Sequence, residues 1–579
     1  MDLPASVDPR FLSEKRRRFD RMRTEQWPYR QHWRSIRDFM SPRSGRYLEA
    51  STENTWAKGQ PKGLKVINGV CYDAVRTLGA GLQGGLTSPS KAWFNLTIPN
   101  KDLSKYKPVN AWLQAVRDVI LLVMARSNFY NSQHTCYEEI GLFGTTAMMI
   151  EEDHHTGIRC RPFTIGEFTL ALDAQYRPAT LYRQFTMTSD QIFQMFAKNK
   201  DVESLPDPVK TALKCNNHDQ RWEIVHAVEP SDTFNPYAKM GKKSMKYDSV
   251  YWMYSLGDEG LLRIGGYASI PFIAPRWAVI GVDEYGNSPG MAALGDAKML
   301  QKIEEKKLKA LDKIVDPPMN APASLAVQGG SVIPGAVNYL DVAPGQQNFA
   351  PAYVPNMNLN DVRQETEGVE QRIRDFFYNR LFLSLINETK RMSATEAAQR
   401  YEEKLVMLGP VLERVQSEDL DIVIERIFNI LHKMGAIPPP PPELQGQQVT
   451  VEYVSVLAQA QKMATGAQSI EQFTGFVAQL APLSPDALAR ADFGNIVKNY
   501  GDLLGIPADC MHTDQEVAKA AAQAKQQQAL QQSAQVAEPM ANAMKAAGQA
   551  QVAPGQSALQ AMAQGAQGAG KAGGFPRGK

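Results

Sequence analysis

The stretch NSPGMAALGDAKMLQKIEEKKLKALDKIV, residues 287–315, decides the fold, because it predicts one long helix covered with charge. Ser288 suits the N-cap, and Pro289 suits the first helical position, where a missing N–H group costs nothing. The two prolines after Asp316 end the helix, which at 1.5 Å per residue is roughly 40 Å long. Apolar residues recur every three or four positions and form one stripe, which we expect to pack against another helix. The residues predicted to carry that packing are Leu294, Leu300, Ile303 and Leu311.

A second charged helix is predicted at DVRQETEGVEQRIRDFFYNRLF, residues 361–382, after a turn-rich excursion. Two helices joined in this way are more typical of a channel wall than of an enzyme pocket. Their basic side chains could contact DNA, but acidic side chains are interleaved with them, which favours salt bridges within and between the helices. A surface along which DNA slides should not bind phosphates tightly, because each neutralised phosphate adds salt-dependent affinity. The mixed charge is therefore compatible with a conduit and unfavourable for a repressor-like binder.

The composition predicts a soluble, multidomain protein of a reducing compartment. With 579 residues the chain is too long for one core, and its formal net charge of +2 means that nucleic-acid contacts must come from local patches. Five cysteines lie scattered without a C-x-x-C pair, which argues against a disulfide framework or a zinc ribbon. The N-terminus lacks the apolar core of a signal peptide. The most hydrophobic run, 116–125, contains Arg117 and Asp118 and is too short to span a membrane.

The first 285 residues predict a mixed α+β domain. Helical periodicity covers 8–41, 64–85 and 108–130, whereas alternating apolar and polar residues at 158–186 and in later segments indicate strands. The helix at 8–41 combines arginines with aromatic residues. We interpret it as an amphipathic helix that packs its aromatic residues on the body of the protein, and phosphate binding is the less favoured interpretation.

The C-terminal half predicts a further long helix and a low-complexity tail. Ser393 and Glu396 fit a capping box, and the helix that they open is expected to bend at Pro410 and to end at Gly435, before a run of five prolines. A smaller, mainly helical region follows. The remainder is rich in Ala and Gln, which indicates a helix-prone but poorly packed tail with a Gly-rich disordered end.

Gly79, Gly81 and Gly84 match the dinucleotide-binding pattern G-x-G-x-x-G. In that motif the glycines follow a strand and open a helix, so that helical N–H groups meet the pyrophosphate. Here they follow a helical run, so the order is reversed. No P-loop pattern occurs either, and we therefore predict that this chain binds no nucleotide cofactor and hydrolyses no ATP.

Residues 151–155, Glu-Glu-Asp-His-His, invite a metal hypothesis and with it a second function, a metal-dependent nucleic-acid-processing enzyme. Adjacent residues of a strand point to opposite faces, and no further His or Cys arrives at ligand spacing. A solvated hairpin tip is the favoured interpretation. No nucleophile motif is present, and we predict no catalytic, cofactor or metal site, although a triad assembled from distant residues stays possible.

Three segments together resemble one known family. They are GLTSPSKAWFNL (85–96), YGNSPGMAALGDAKMLQKIEEKKLKALDKIVDPP (285–318) and RMSATEAAQR (391–400). They resemble the portal, or head-to-tail connector, proteins of short-tailed bacteriophages, in the same order and over roughly residues 10–510. The middle segment is the most specific, because its turn, helix and proline stop occur together.

The resemblance implies an α+β multidomain subunit of a ring oligomer, with long antiparallel stem helices between other domains. The domains carried over by position are a mixed α/β wing at 1–286, stem helices at 287–315 and 359–383, a small β-containing clip at 316–358, a tunnel loop at 384–392, a long wing helix at 393–436, a mainly helical wing and crown region at 437–512, and a barrel helix or disordered tail at 513–579.

The resemblance also implies a function without catalysis. A ring, typically dodecameric, would lie at one capsid vertex of the virion as the channel for genome packaging and ejection, after assembly in the host cytoplasm. Its implied partners are further copies of the chain, double-stranded DNA, a terminase ATPase, tail or adaptor proteins, and capsid and scaffolding proteins, with no membrane. The candidates for lining the DNA channel are Lys390, Arg391, Lys298, Lys302, Lys306, Lys313, Arg372 and Arg374.

Overall fold

The computed structural model describes most of the first 455 residues and a few positions beyond them. The described residues are 9–48, 63, 65–99, 106–197, 201–238, 241–321, 325, 329–333, 336–338, 349–352, 359–386, 407–444, 449–455, 457, 473–474, 476–477, 494, 496, 551–553 and 556–557. The chain divides into two compact units, Met1–Ser469 and Ile470–Lys579. In the second unit, Gln551–Ala553 pairs with Gln556–Ser557 in a short antiparallel ladder.

The helices of the first unit fall mostly where the apolar periodicity predicts them. They are α1 (Pro9–Met40), α2 (Val70–Leu86), α3 (Lys107–Arg126), α4 (Phe129–Phe143), α5 (Ser189–Phe196), α6 (Asp207–Lys214), α7 (Pro289–Val315), α8 (Leu359–Phe376), α9 (Asn379–Ile386) and α10 (Asp421–Lys433). Residues 407–415 are also helical, and a π turn at Gln416–Leu420 joins them to α10.

The strands form small antiparallel sheets. They are β1 (Phe94–Thr97), β2 (Ala147–Asp153), β3 (Gly157–Phe163), β4 (Phe168–Leu172), β5 (Pro178–Thr188), β6 (Arg221–Pro230), β7 (Tyr247–Met253), β8 (Leu261–Tyr267), β9 (Phe272–Ile273), β10 (Met319–Asn320), β11 (Ala350–Pro351) and β12 (Thr450–Tyr453). Strands β4 to β8 form a five-stranded meander, β3, β2 and β9 a three-stranded sheet, and β1 pairs with β12, as β10 does with β11.

Helices cover both faces of the meander, as the alternation along β6 requires. Val225 and Ala227 point towards α1, where they meet Phe19 and Trp252 in one buried cluster. Ile224, one position away, points to the opposite face and packs with residues of α5 and α6. The mixed α/β architecture predicted for this part of the chain is confirmed.

The largest core joins α1, α2 and α4 to the first half of α7 and to α8. Helix α4 ends at Gly144, whose φ of 81° is open to glycine without strain. A Cβ there would lie 2.1 Å from the carbonyl oxygen of Gly286, so only glycine permits this approach of two backbones. That contact sets the position of the chain just before α7 begins.

Helix α3 has the length and composition of a membrane-spanning helix. Its buried residues recur at helical spacing and pack in a second core with β1, β2, β3 and α10, which is the arrangement of a core helix. These buried residues are Val109, Leu113, Val116, Ile120 and Met124.

Several predicted boundaries were wrong. The helix predicted at 361–382 is interrupted at Tyr378, whose φ is 56°, and α9 then runs to Ile386, so the first three residues of the predicted loop 384–392 are helical. The helix predicted at 64–85 begins only at Val70. The helix predicted at 108–130 is divided between α3 and α4. The helix predicted to bend at Pro410 is instead interrupted by the π turn that follows it, at Gln416–Leu420. This helix ends at Gly435 as predicted, and the φ of Gly435 is 69°.

Candidate nucleic-acid interface

The pair of long helices α7 and α8 begins with the cap predicted from sequence. The Ser288 hydroxyl accepts a hydrogen bond from the Met291 N–H at 3.0 Å, and Pro289 occupies the first turn. The same hydroxyl donates to the carbonyl oxygen of Leu142 at 2.7 Å. The start of α7 is therefore fixed to the end of α4, and the direction of the helix follows from that of the core.

Apolar and charged contacts hold α7 against α8. Leu300 is buried in the same core as Val369 and Ile373. The Arg372 guanidinium lies 3.2 Å from a carboxylate oxygen of Asp296, which joins the two helices at their exposed edge. This is one of the interhelical salt bridges that the interleaved charges predict.

The apolar stripe of α7 divides into a buried and an exposed half. Leu294 and Leu300 are buried and Ile303 packs against the core, whereas Leu311 is half-buried. From Leu308 onward other apolar residues of the helix face solvent: Leu308 is 48% exposed and Val315 is 82% exposed. The predicted packing residues thus carry packing inside one subunit over the first half of the helix.

Two of the six predicted DNA-facing residues of the helices lie in ion pairs along their own helix. Lys302 lies 3.9 Å from Glu305, and Arg374 lies 3.5 Å from Glu370. A hydrogen bond from Lys309 lowers the pKa of Glu305 below its ordinary value. These pairs offset part of the positive charge along the helices.

The remaining candidates for lining the DNA channel lie in different surroundings. The Lys298 ammonium lies 5.6 Å from the ring centre of Phe39 on α1, and Lys306 and Lys313 are exposed. Lys390 and Arg391 lie outside the described residues, so their placement stays a prediction.

A polar clamp that the sequence did not predict joins both long helices to the segment before α2. The buried Gln301 carboxamide accepts from the N–H groups of Ile67 and Asn68 at 2.6 and 2.8 Å, and it donates to the Asn68 carbonyl oxygen. The Asn68 side chain in turn donates to Glu370 of α8 at 2.9 Å. These partners are more than 200 positions apart in sequence, so no local sequence pattern predicts their contacts.

Residues 151–153 form the end of β2, and His154 and His155 lie in the predicted tip of the hairpin between β2 and β3. Glu151 pairs with Arg161 at 3.0 Å and Glu152 with Lys433 at 2.9 Å, while His154 and His155 are exposed. Hydrogen bonds, the first from the Thr156 hydroxyl, lower the pKa of Asp153. Within the described ranges no three His, Cys, Asp or Glu side chains are placed to hold a metal ion.

The glycines of the G-x-G-x-x-G pattern lie inside α2, and two of them, Gly79 and Gly81, allow close packing of side chains against the helix. A Cβ on Gly81 would lie 2.2 Å from the Phe382 side chain, and one on Gly79 would lie 2.7 Å from that of Glu138. They are interior residues of a helix that begins at Val70, so they form no phosphate-binding turn.

Arg30 and Arg34 of α1 also serve the fold. Arg30 donates to the carbonyl oxygens of Gly166 and Tyr47, and Arg34 donates to that of Leu48. Burial lowers the pKa of Arg30 to about 10. The arrangement agrees with the packing interpretation of this helix.

Comparisons with known proteins give one consistent result. Residues 12–511 match the family described as bacteriophage head to tail connecting protein. The chain is 37% identical over 523 residues to a probable portal protein of Bordetella phage BPP-1, covering 89% of this chain and 92% of that relative. It is 36% identical over 513 residues to the portal protein of Salmonella phage epsilon15, covering 88% and 90% of the two chains.

Proposed function

The chain belongs to the bacteriophage head to tail connecting protein family and acts as a phage portal, and we propose that it assembles into a closed dodecameric ring at one capsid vertex. In this proposal the genome enters the capsid through the ring and later leaves by the same channel. The ring assembles in the host cytoplasm and becomes part of the virion, where it binds the terminase ATPase and then tail or adaptor proteins. Capsid and scaffolding proteins are the further partners.

The half-exposed stripe of α7 is the observation that carries this proposal. Leu308, Ile314 and Val315 extend the buried stripe but face solvent in the single subunit, at 48, 41 and 82% exposure. In the segment after α7, Val332, Ile333 and Val337 are each more than 65% exposed. Water-exposed apolar residues concentrated in one region mark an interaction site, and neighbouring copies in a ring would cover them.

We assign α7 and α8 to the stem and 316–358 to the clip. The short ladder between β10 and β11 supports a β-containing clip, because it closes the excursion near the end of α7. Residues 1–286 would form the wing, with the tunnel loop after α9, the long helix ending at Gly435 returning to the wing, and the crown following to 512.

We propose a passive conduit with no catalytic activity of its own. The ion pairs along the stem helices support it, because a channel surface must let phosphates pass rather than retain them. The dispersed partners of Glu151 and Glu152 give no support to the alternative, a metal-dependent nucleic-acid-processing enzyme.

The proposal is tested by changing the predicted tunnel loop. Lys390→Ala with Arg391→Ala should leave the ring intact in cryo-EM top views and impair DNA packaging or retention, because only contacts to DNA are removed. The matched control is the same double change at Arg43 and Arg177, two exposed arginines of the proposed wing. Top views would also count the subunits.

Two outcomes would contradict the proposal. If micromolar protein gives monomers or dimers and no ring at any salt concentration, the conduit is wrong. If the loop variant loses assembly without a selective DNA defect, the channel position of Lys390 and Arg391 is wrong.

A further inference from the structure

The π turn at Gln416–Leu420 interrupts an otherwise regular helix and places two acidic side chains against the core. Single π turns within α-helices are rare and frequently lie at functional positions. Glu418 forms an ion pair with the buried Arg276 at 2.7 Å. Asp419, the next residue, is fully buried and turns towards α4, where its partner is the amide of Gln133.

The contact between Asp419 and Gln133 is incomplete if the carboxyl group is charged. The Gln133 Nε2 donates to Asp419 Oδ2 at a short 2.5 Å. The second oxygen of each group, Asp419 Oδ1 and Gln133 Oε1, is buried and has no hydrogen-bond partner in the structure. Two buried acceptor oxygens without a donor cost free energy. A single proton, carried by Asp419 Oδ1 and donated to Gln133 Oε1, would give both oxygens a hydrogen bond.

Among the described residues, no cation contributes to the pKa of Asp419 and so none holds it in its charged form. The titratable groups nearest to it are Cys136 and Tyr137 on α4, Cys160 on β3 and Tyr453 on β12. Burial raises the pKa of each of these thiols and phenols, that of Cys160 to about 12, so all four are neutral near pH 7.

The charged groups on the neighbouring positions are already paired. Arg276 binds Glu418, and the Asp421 carboxylate accepts a hydrogen bond from the Tyr453 hydroxyl at 2.5 Å. The surroundings of Asp419 therefore favour its uncharged form.

We propose that Asp419 is a neutral carboxylic acid in the folded subunit and donates its proton to Gln133 Oε1, closing a two-hydrogen-bond acid–amide pair that latches the π turn to α4. The proton comes from solvent on folding. When it is lost, one hydrogen bond goes with it and a buried charge remains, so the latch is weaker. The pair therefore makes the stability of the helical segment that precedes α10 depend on pH.

The sign of the pH dependence follows from the shift. Burial raises the pKa of Asp419 from 3.8 to about 7, so between these values the folded chain binds a proton that the unfolded chain has released. The stabilisation by the neutral pair is fully present below pH 3.8, falls as the pH rises to about 7, and is absent above it.

Asp419→Asn tests the latch, because an asparagine amide has the shape of the acid and can exchange the same two hydrogen bonds with Gln133 at every pH. The measurement is the unfolding temperature of the full-length ring from pH 5 to pH 8. We expect the variant to exceed the wild type by several degrees at pH 8 and by clearly less at pH 5, where much of the stabilisation by the neutral pair remains. Asp118→Asn, at an exposed position, is the control and should show no such gap.

A second variant and a local measurement make the test independent of global stability. In Gln133→Glu two carboxyl groups share the site, so the unfolding temperature should fall more steeply with pH than in the wild type. Hydrogen exchange at 416–424, corrected for intrinsic rates, should speed up from pH 6 to pH 8 in the wild type and stay constant in Asp419→Asn. An Asn variant that is less stable at pH 8 or fails to fold, or a gap that is the same at both pH values, would overturn the proposal.

Discussion

At the scale of single residues, Ser288 shows what a sequence predicts and what it leaves open. Its role as N-cap is local, and the order Ser-Pro before a periodic helix is sufficient to predict it. Its second hydrogen bond goes to the carbonyl oxygen of Leu142, which is 146 positions away. The sequence offers no signal for that partner.

Ser288→Ala should lower the free energy of unfolding by about 1–3 kcal/mol, because it removes a helix cap and leaves the buried Leu142 carbonyl without its donor. The measurement is urea unfolding of the purified chain. Ser13→Ala is the matched control, since its hydroxyl bonds only an exposed carbonyl within α1. Equal losses in the two variants would show that the contact to α4 contributes nothing.

The residues that the sequence missed share one property. Gln301, Asn68 and Asp419 are polar side chains whose partners come from distant segments. A periodic pattern assigns such residues to a helix but says nothing about what a buried carboxamide or carboxyl group bonds. The opposite holds at 151–155, where the alternation of a hairpin was enough to predict an exposed tip.

At the scale of elements, the break between α8 and α9 has a tertiary cause. No glycine or proline marks it, and Tyr378 adopts a φ of 56°, a left-handed conformation that costs a non-glycine residue roughly 1–2 kcal/mol. Phe377 and Leu381 are both buried on either side of it. Their burial offsets the strain, and a local pattern cannot report that balance.

The glycines of α2 allow a paired test of helix packing. Gly81→Ala should destabilise the chain by about 1–3 kcal/mol, because its Cβ would overlap the Phe382 side chain, 2.2 Å away. Gly84→Ala, one turn on, meets no atom within 4 Å and should stabilise the helix by about 0.5–1 kcal/mol. Both are measured as shifts in the urea midpoint. The same sign for both variants would refute the packing role of Gly81.

At the scale of the whole molecule, pairings between remote segments complete the first compact unit. Strand β1 pairs with β12, so Phe94 lies opposite Tyr453. The sequence predicted strand character near 86–99 but gave no partner for it, because pairing across so many residues depends on the assembled core. The order of elements and the α/β character were predictable from the sequence, whereas these pairings between remote segments were not.

The ion pair between Arg276 and Glu418 is a further remote link, in which the arginine is 2% exposed and its guanidinium also donates to the carbonyl oxygens of Asp283 and Tyr176. Arg276→Met should cost about 3–5 kcal/mol, since it removes the buried partner of a carboxylate that is only 12% exposed and leaves it the longer contact to Arg414 at 3.6 Å. Adding Glu418→Met should recover part of that loss, so the double-mutant cycle should give a coupling free energy of about 1–3 kcal/mol in urea unfolding. Lys309→Met, which breaks an exposed ion pair on α7, is the control and should change stability little. If the stability losses of the two single variants simply add, the ion pair does not hold the π turn to the segment around Arg276.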